Sequence, residues 1–286
     1  MRISELSLAM GVLVEDFDPD RATDSDWTRL RQALYESDHL LLLRGRPYSD
    51  AEHRQIAAAF GPIGAEIGTG NDVRYVSNTR PDGSLGSIAA SWHIDFGFFP
   101  RPYEALSLYG VEIPQAGTVT RFANAVAAAA DLPPEMKARL DGLQARQVAD
   151  VASPEGEAGV RIRIGRLDET YPHHVRPVLW QHWRSGEPIL GVWEQQTDAI
   201  LPLEPEESSV LILELFDHLY QPQYIYTHQW QVDDLVIWDN HAVQHSRPDV
   251  GTEHARTLRR VPIGEPQDYS LFAHYAQLRA ERQALT

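Results

Sequence analysis

Three short segments in the last third of the chain constrain the fold most: "QYIYTHQWQ", "DLVIWDN" and "RTLRRVPI". Each is strand-length, carries β-branched or aromatic residues and is bounded by polar turn residues. "VRYVSN" and "EALSLYGVEI" earlier in the chain read the same way. "HLLLLRG" is fully apolar, as expected of a strand buried on both faces. Helical periodicity is confined to a few places. "TDSDWTRLRQALYESD" sets Trp27, Leu30 and Leu34 on one face, and "SDAEHRQIAAAFG" follows with a Ser49/Glu52 capping box and Gly61 as its stop. "NAVAAAADLPPEMKARLDGL" is helical with a break at Pro133, and "PEESSVLILELFDHLY" is helical with Pro205 in its first turn. The expectation is a mainly β fold with flanking helices, and one domain over residues 1–286, since no repeat or linker divides the chain.

Composition narrows the function. Hydrophobic residues make up 43% of 286, enough for a substantial core. The formal net charge of −16 opposes sequence-independent binding to nucleic acid or anionic membrane, both of which need a basic face. The chain has no cysteine, which removes disulfides, thiolate metal sites and cysteine nucleophiles. "MRISELSLAMGVLVEDFDPD" lacks the apolar run of a signal peptide, and no apolar stretch approaches the roughly 20 residues of a membrane span. A cytoplasmic protein acting on a small molecule is expected, with a homo-oligomer left open.

Against that background "SWHIDFGFFP" stands out. If His93 and Asp95 lie on a strand, their side chains share a face, and one imidazole and one carboxylate can meet at one ion. Nitrogen and oxygen donors suit a borderline divalent metal such as iron better than calcium or magnesium. A further histidine would complete a two-histidine, one-carboxylate triad. "DLVIWDNHAVQHSRPD" offers His241 and His245. On an extended strand they would be about 13 Å apart, so one metal takes only one of them unless the chain turns between. The simpler alternative is that both decorate a strand end.

"HARTLRRVPI" places Arg256, Leu258 and Arg260 on one face and Thr257 and Arg259 on the other. Arginines facing inward beside a metal require anions, and guanidinium pairs bidentately with carboxylate. Surface ion pairs are the alternative.

Together these segments resemble the taurine dioxygenase/2,4-dichlorophenoxyacetate dioxygenase (TauD/TfdA) family of Fe(II)- and 2-oxoglutarate-dependent oxygenases, over nearly the whole length. "LLLLRGRPYSDAEHRQIAAAFGPI" is similar to the family's strand–helix lead-in, and "WHIDFGFFPRP" to its W-H-x-D-x-x-F pattern. "AGTVTRFANAVAAAADLP" resembles the segment in which a threonine helps hold 2-oxoglutarate. "DDLVIWDNHAVQHSRPD" matches W-D-N-x-x-x-x-H, and "ARTLRRVPIGE" the closing arginine strand.

The resemblance implies a double-stranded β-helix, a jelly-roll, cupin-like core. It implies Fe(II) held by His93, Asp95 and His245, with His241 outside the ligand set. It places Thr120 and Arg256 at 2-oxoglutarate, and Arg260 where some members contact substrate and others use the residue structurally. With O2 as second cosubstrate, the implied reaction hydroxylates or otherwise oxidises an unactivated C–H of a small, carboxylate-bearing molecule, releasing succinate and CO2. Asp95 is present, which implies hydroxylation and not halogenation. Phe96, Phe98, Phe99 and Phe122 flank the motifs and can wall a pocket or pack in the core; Phe96 and Phe98 are taken with Arg260 as substrate candidates. Trp92 and Trp238 are read as supports. The chain also departs from the pattern. Gly61 to Asn78 lacks the histidine of sulfonate-binding members, and Ala89 replaces a polar contact, which argues against taurine. Arg176 and Trp193 point to an individual pocket. Two other classes remain: a zinc-dependent hydrolase or lyase on a cupin-like barrel, and a non-catalytic binding relative.

Overall fold

The computed structural model describes residues 1–64, 73–87, 89–115, 117–149 and 173–264. Part of the segment from Gly61 to Asn78 that departs from the family pattern, residues 65–72, lies outside them.

Strand Leu40–Arg44 shows why the chain is layered. All four leucines are buried. Leu40 and Leu42 join the core on one face of the sheet, and Leu41 and Leu43 the core on the other, because alternate side chains point to opposite faces. Such a strand must lie inside a sheet covered on both sides. It does, in an eight-stranded sheet with the order Arg2–Glu5, Val12–Glu15, Leu40–Arg44, Leu235–Asp239, Ala105–Glu112, Thr257–Ile263, Arg74–Ser77 and Gly83–Leu85.

Helices Asp24–Gln32 and Asp50–Ala58 belong to one face, where Leu30, Ile56 and Phe60 share a core with Leu41, Leu43, Ile237 and Val261. The other face shares its core with a four-stranded sheet, ordered Ile225–Gln229, Val119–Asn124, Val243–Arg247 and Ala90–His93. Leu42, Val236, Trp238 and Leu258 of the large sheet cluster there with Phe122 and Val243 of the small one. Each of these buried side chains contributes about 1.5–3 kcal/mol by leaving water.

The sequence-level helices form with two adjustments. Ser49 Oγ accepts from the Glu52 N–H at 3.2 Å, and the Glu52 carboxylate accepts from the Ser49 N–H at 2.8 Å, so the capping box is realised. The helix expected over residues 23–38 is regular only to Gln32, and a π-helical turn, Ala33–Ser37, then carries Leu34 and Tyr35 into the core. The break at Pro133 separates helices Ala125–Ala130 and Pro134–Leu140, since proline cannot continue the hydrogen-bond ladder. Helix Pro205–Leu219 begins at its proline.

One expectation is corrected. "DLVIWDNHAVQHSRPD" is two strands, Leu235–Asp239 in the large sheet and Val243–Arg247 in the small one. The turn between them carries Asn240 and His241, so His241 and His245 do not share a strand. The Asp239 carboxylate closes that turn by accepting from the N–H groups of His241 and Ala242 at 2.9 and 3.2 Å. Among the described residues no helix is long and apolar enough to cross a membrane.

Candidate active site

His93 ends strand Ala90–His93 and lies directly across from His245 in the small sheet, with ring centroids 4.1 Å apart. Asp95 does not reach them by strand alternation. It sits in the turn after His93, and Phe96 beside it adopts a left-handed backbone at φ 58°. A bulky residue is held there only when its surroundings fix it. Arg176 supplies part of that fixing: its Nη2 donates to the carbonyls of Gly97 and Phe99 at 2.9 and 2.8 Å.

The result is a tight donor set. Asp95 Oδ1 is 3.3 Å from His93 Nε2 and 3.6 Å from His245 Nε2, and all three ligand atoms lie within 4.8 Å of one another. His93 Nδ1 is 2.7 Å from the Ser91 carbonyl oxygen. It donates there, leaving the Nε2 lone pair facing Asp95. Burial, reinforced by His93 and opposed by Asp95, pulls the His245 imidazole down to about 3, so it is neutral at pH 7. Burial alone would raise the Asp95 carboxyl, but its neighbours, His93 first, then His245 and the Arg74 cation, hold it below its ordinary value. Two imidazole lone pairs and a carboxylate thus converge, and a divalent cation fits that donor set.

The Trp-Asp-Asn segment now has a physical meaning. The Trp238 ring stands 4.9 Å from His245. Asp239 closes the turn and accepts from His182 Nε2 at 2.7 Å. Asn240 Oδ1 accepts from the Asp95 N–H at 2.9 Å, while its Nδ2 donates to the carbonyls of Asp95 and Tyr103, both at 3.0 Å. His241 turns away from the donor set: its ring stands 5.2 Å from Trp180 and 6.5 Å from Trp183.

Arg256 precedes the closing strand of the large sheet and is 2% exposed. Its Nε donates to Thr118 Oγ1 at 3.1 Å, and its Nη1 is buried without a partner. Burial, with the nearby charge of Arg247, lowers it to about 9, which leaves it cationic at neutral pH. An orphaned buried guanidinium nitrogen calls for an anion. Thr120 does not touch Arg256. Its Oγ1 accepts from Trp230 Nε1 at 2.9 Å, which leaves the hydroxyl hydrogen available to another acceptor. Thr118 was missed by sequence reasoning, although it lies two residues from Thr120, just before strand Val119–Asn124.

Arg260 is ion-paired with Asp95 Oδ2 and lies over the Tyr103 ring. Across the strands it is paired with Arg74, whose charge also acts on Asp95. Arg259 points the other way, to Asp50 and His53, as the alternation required. Phe98 and Phe99 are buried in a small cluster with Ala149, against which Phe96 packs while remaining partly exposed. Phe122 is fully buried, and Trp92 stacks on Tyr220 at 4.9 Å.

Comparison with known proteins identifies the family. The family described as "Taurine catabolism dioxygenase TauD, TfdA family" matches residues 3–261. The alpha-ketoglutarate-dependent 2,4-dichlorophenoxyacetate dioxygenase of Cupriavidus pinatubonensis is 29% identical over 272 residues, covering 86% of this chain and 92% of that protein. Pentalenolactone F synthase of Streptomyces arenae is 27% identical over 260 residues, covering 83% and 87%. Among solved structures, AAD-2 in complex with Mn(II) and N-oxalylglycine superposes with a TM-score of 0.75 at 21% identity, over 94% of this chain and 98% of that one. The likeness extends to the whole jelly-roll, cupin-like fold.

Proposed function

The chain belongs to the TauD/TfdA family of 2-oxoglutarate-dependent dioxygenases, and from that premise we propose that it hydroxylates, or oxidises by way of hydroxylation, a C–H bond of a small carboxylate-bearing molecule. His93, Asp95 and His245 would hold Fe(II). When bound, iron with O2 and 2-oxoglutarate supplies the oxidising chemistry, and succinate and CO2 are released. The chain's own residues bind and orient. Arg256 and Thr120 meet the far carboxylate of 2-oxoglutarate, with the Thr118 hydroxyl fixing the guanidinium. The observation that carries this reading is the pairing of a three-donor cluster with the orphaned Nη1 of Arg256.

Arg260 and Arg74 support an anionic substrate, because they set two cations side by side at the rim of the donor set. Phe96 supplies partly exposed aromatic surface beside them; Phe98 is a packing residue first. The same reading treats residues 1–286 as one dioxygenase domain working in the cytoplasm, without nucleic-acid or membrane partners.

The test is anaerobic reconstitution with Fe(II), followed by oxygen and a panel of aryloxyacids, amino acids and other carboxylates. Succinate formation that needs both oxygen and 2-oxoglutarate, stimulated by one compound class, is expected. Turnover with zinc and no succinate would assign a hydrolase instead. Chlorinated product in the presence of chloride would overturn the hydroxylating outcome. Arg260→Ala should weaken substrate stimulation while leaving 2-oxoglutarate binding near normal; loss of thermal stability alone would make Arg260 structural.

A further inference from the structure

Arg247 has no role in the chemistry above, yet it lies in the same interior. It is the last residue of strand Val243–Arg247, two beyond His245, so both side chains leave the same face of the small sheet. It is 7% exposed. The ladder that sets His245 against Phe122 ends at Ser246 against Arg121, so Arg247 lies one step past its end, on the side where Thr120 follows on the neighbouring strand. Arg256 approaches the same row from the large sheet, anchored on Thr118. The charge of Arg247 acts directly on Arg256.

Two buried guanidiniums in electrostatic reach of each other repel, and the Asp249 carboxylate acts on Arg247 but is not among the groups acting on Arg256. A carboxylate placed between them would relieve both. Its two oxygens offer about four acceptor positions, enough for two guanidinium forks and a hydroxyl. The hydroxyl of Thr120 lies in that row, its acceptor side already filled by Trp230.

We propose that Arg247 is a second cation for the far carboxylate of 2-oxoglutarate, which is gripped by Arg256 from the large sheet and by Arg247 from the small one. This rests on the reading of the site as a 2-oxoglutarate site. It adds a contact with a consequence for product as well as cosubstrate. Succinate keeps that same carboxylate after decarboxylation, so the grip persists on the product.

The experiment compares four ligands on the full chain loaded with Fe(II) without oxygen, by titration calorimetry. 2-Oxoglutarate and N-oxalylglycine carry the far carboxylate; 2-oxovalerate has the same chain length without it. Arg247→Gln should weaken the two diacids about 10- to 100-fold, the range of a charge-assisted contact, and leave 2-oxovalerate unchanged. Arg247→Lys should recover part of the loss, and succinate should follow the diacids. Equal weakening of 2-oxoglutarate, N-oxalylglycine and 2-oxovalerate, or an unchanged affinity for 2-oxoglutarate, overturns the proposal. If the glutamine variant does not fold, Arg247→Lys alone decides: it must weaken 2-oxoglutarate relative to 2-oxovalerate, and no change overturns the assignment. A wild-type protein that binds no diacid overturns the underlying reading as well. Binding by wild type with an indifferent Arg247 overturns this proposal alone.

Discussion

Asn240 holds Asp95 by the backbone on both sides, accepting from its N–H at 2.9 Å and donating to its carbonyl at 3.0 Å. A residue 145 positions away thereby fixes the turn that carries the only carboxylate of the donor cluster. Asn240→Ala leaves one buried N–H and two carbonyls unpaired, at a cost of about 2–4 kcal/mol. Metal affinity should fall with it, because the Asp95 backbone is no longer held. Urea denaturation and Co(II) titration measure the two effects separately. Full metal affinity in a destabilised Asn240→Ala protein would reduce the residue to packing.

The metal assignment separates two histidines four residues apart. His93→Ala and His245→Ala should abolish Fe(II) binding and all 2-oxoglutarate turnover. His241→Ala should leave iron binding intact, because its ring faces Trp180 and Trp183. Equilibrium dialysis of the three variants gives the answer, and the reverse pattern would move the third ligand to His241.

On the proposed reading Arg256→Ala removes a bidentate contact to a partly buried carboxylate, worth on the order of 2–4 kcal/mol, so 2-oxoglutarate affinity should drop roughly 30- to 1000-fold. Lysine should restore only part of it, lacking the planar fork. The two threonines should differ in character. Thr120→Val loses a direct donor to the ligand, whereas Thr118→Val acts by freeing the Arg256 guanidinium. Thr118→Val should therefore have little effect in an Arg256→Ala background. The metal-to-ligand charge-transfer band of the anaerobic Fe(II) protein follows the single variants and the Thr118→Val, Arg256→Ala double variant; additive losses for Thr118 and Arg256 would break the coupling.

His241 makes a pH prediction away from the ligands. Burial pulls its imidazole down to about 4, with Asp239 opposing and Arg176 reinforcing. A folded value below the unfolded one of about 6.5 means the unfolded chain takes the proton first. Stability should fall as pH drops from about 6.5 to about 4, by about 1–3 kcal/mol for this partly exposed group, and the contribution should be flat outside that window. His241→Gln should be less steep across it in metal-free denaturation curves. Parallel curves for wild type and variant would remove His241 from the pH response.

The strands and helices were legible because their signals are local. Leu40 to Leu43 announce burial on both faces, and Ser49 with Glu52 announces a helix start. The donor set was legible as a family pattern. Its geometry was not, because strand alternation cannot place Asp95 in a turn stabilised by Asn240 and Arg176. The separation of His241 from His245 depends on a turn that passes from one sheet to the other, and a run of apolar residues does not mark where it bends. Thr118 became visible only through its hydrogen bond to Arg256, Arg74 only when strand register set it beside Arg260, and Arg247 only when the ladder carrying His245 ended next to it. Register is a long-range property, fixed by packing between residues far apart in sequence.

The two histidines of the donor set ride on the small sheet, while Arg256 sits just before Thr257–Ile263, an inner strand of the large one. The gap between the sheets therefore works as a calliper. On the proposed reading a keto diacid would reach from the donor cluster on one jaw to a guanidinium on the other, and the jaws are spaced by Leu42, Phe122 and Trp238 in the core between them. Chain-length selectivity for the cosubstrate is then written in hydrophobic volume, in residues that never meet the ligand. Trimming Phe122 would be felt as a changed ranking of oxaloacetate, 2-oxoglutarate and 2-oxoadipate.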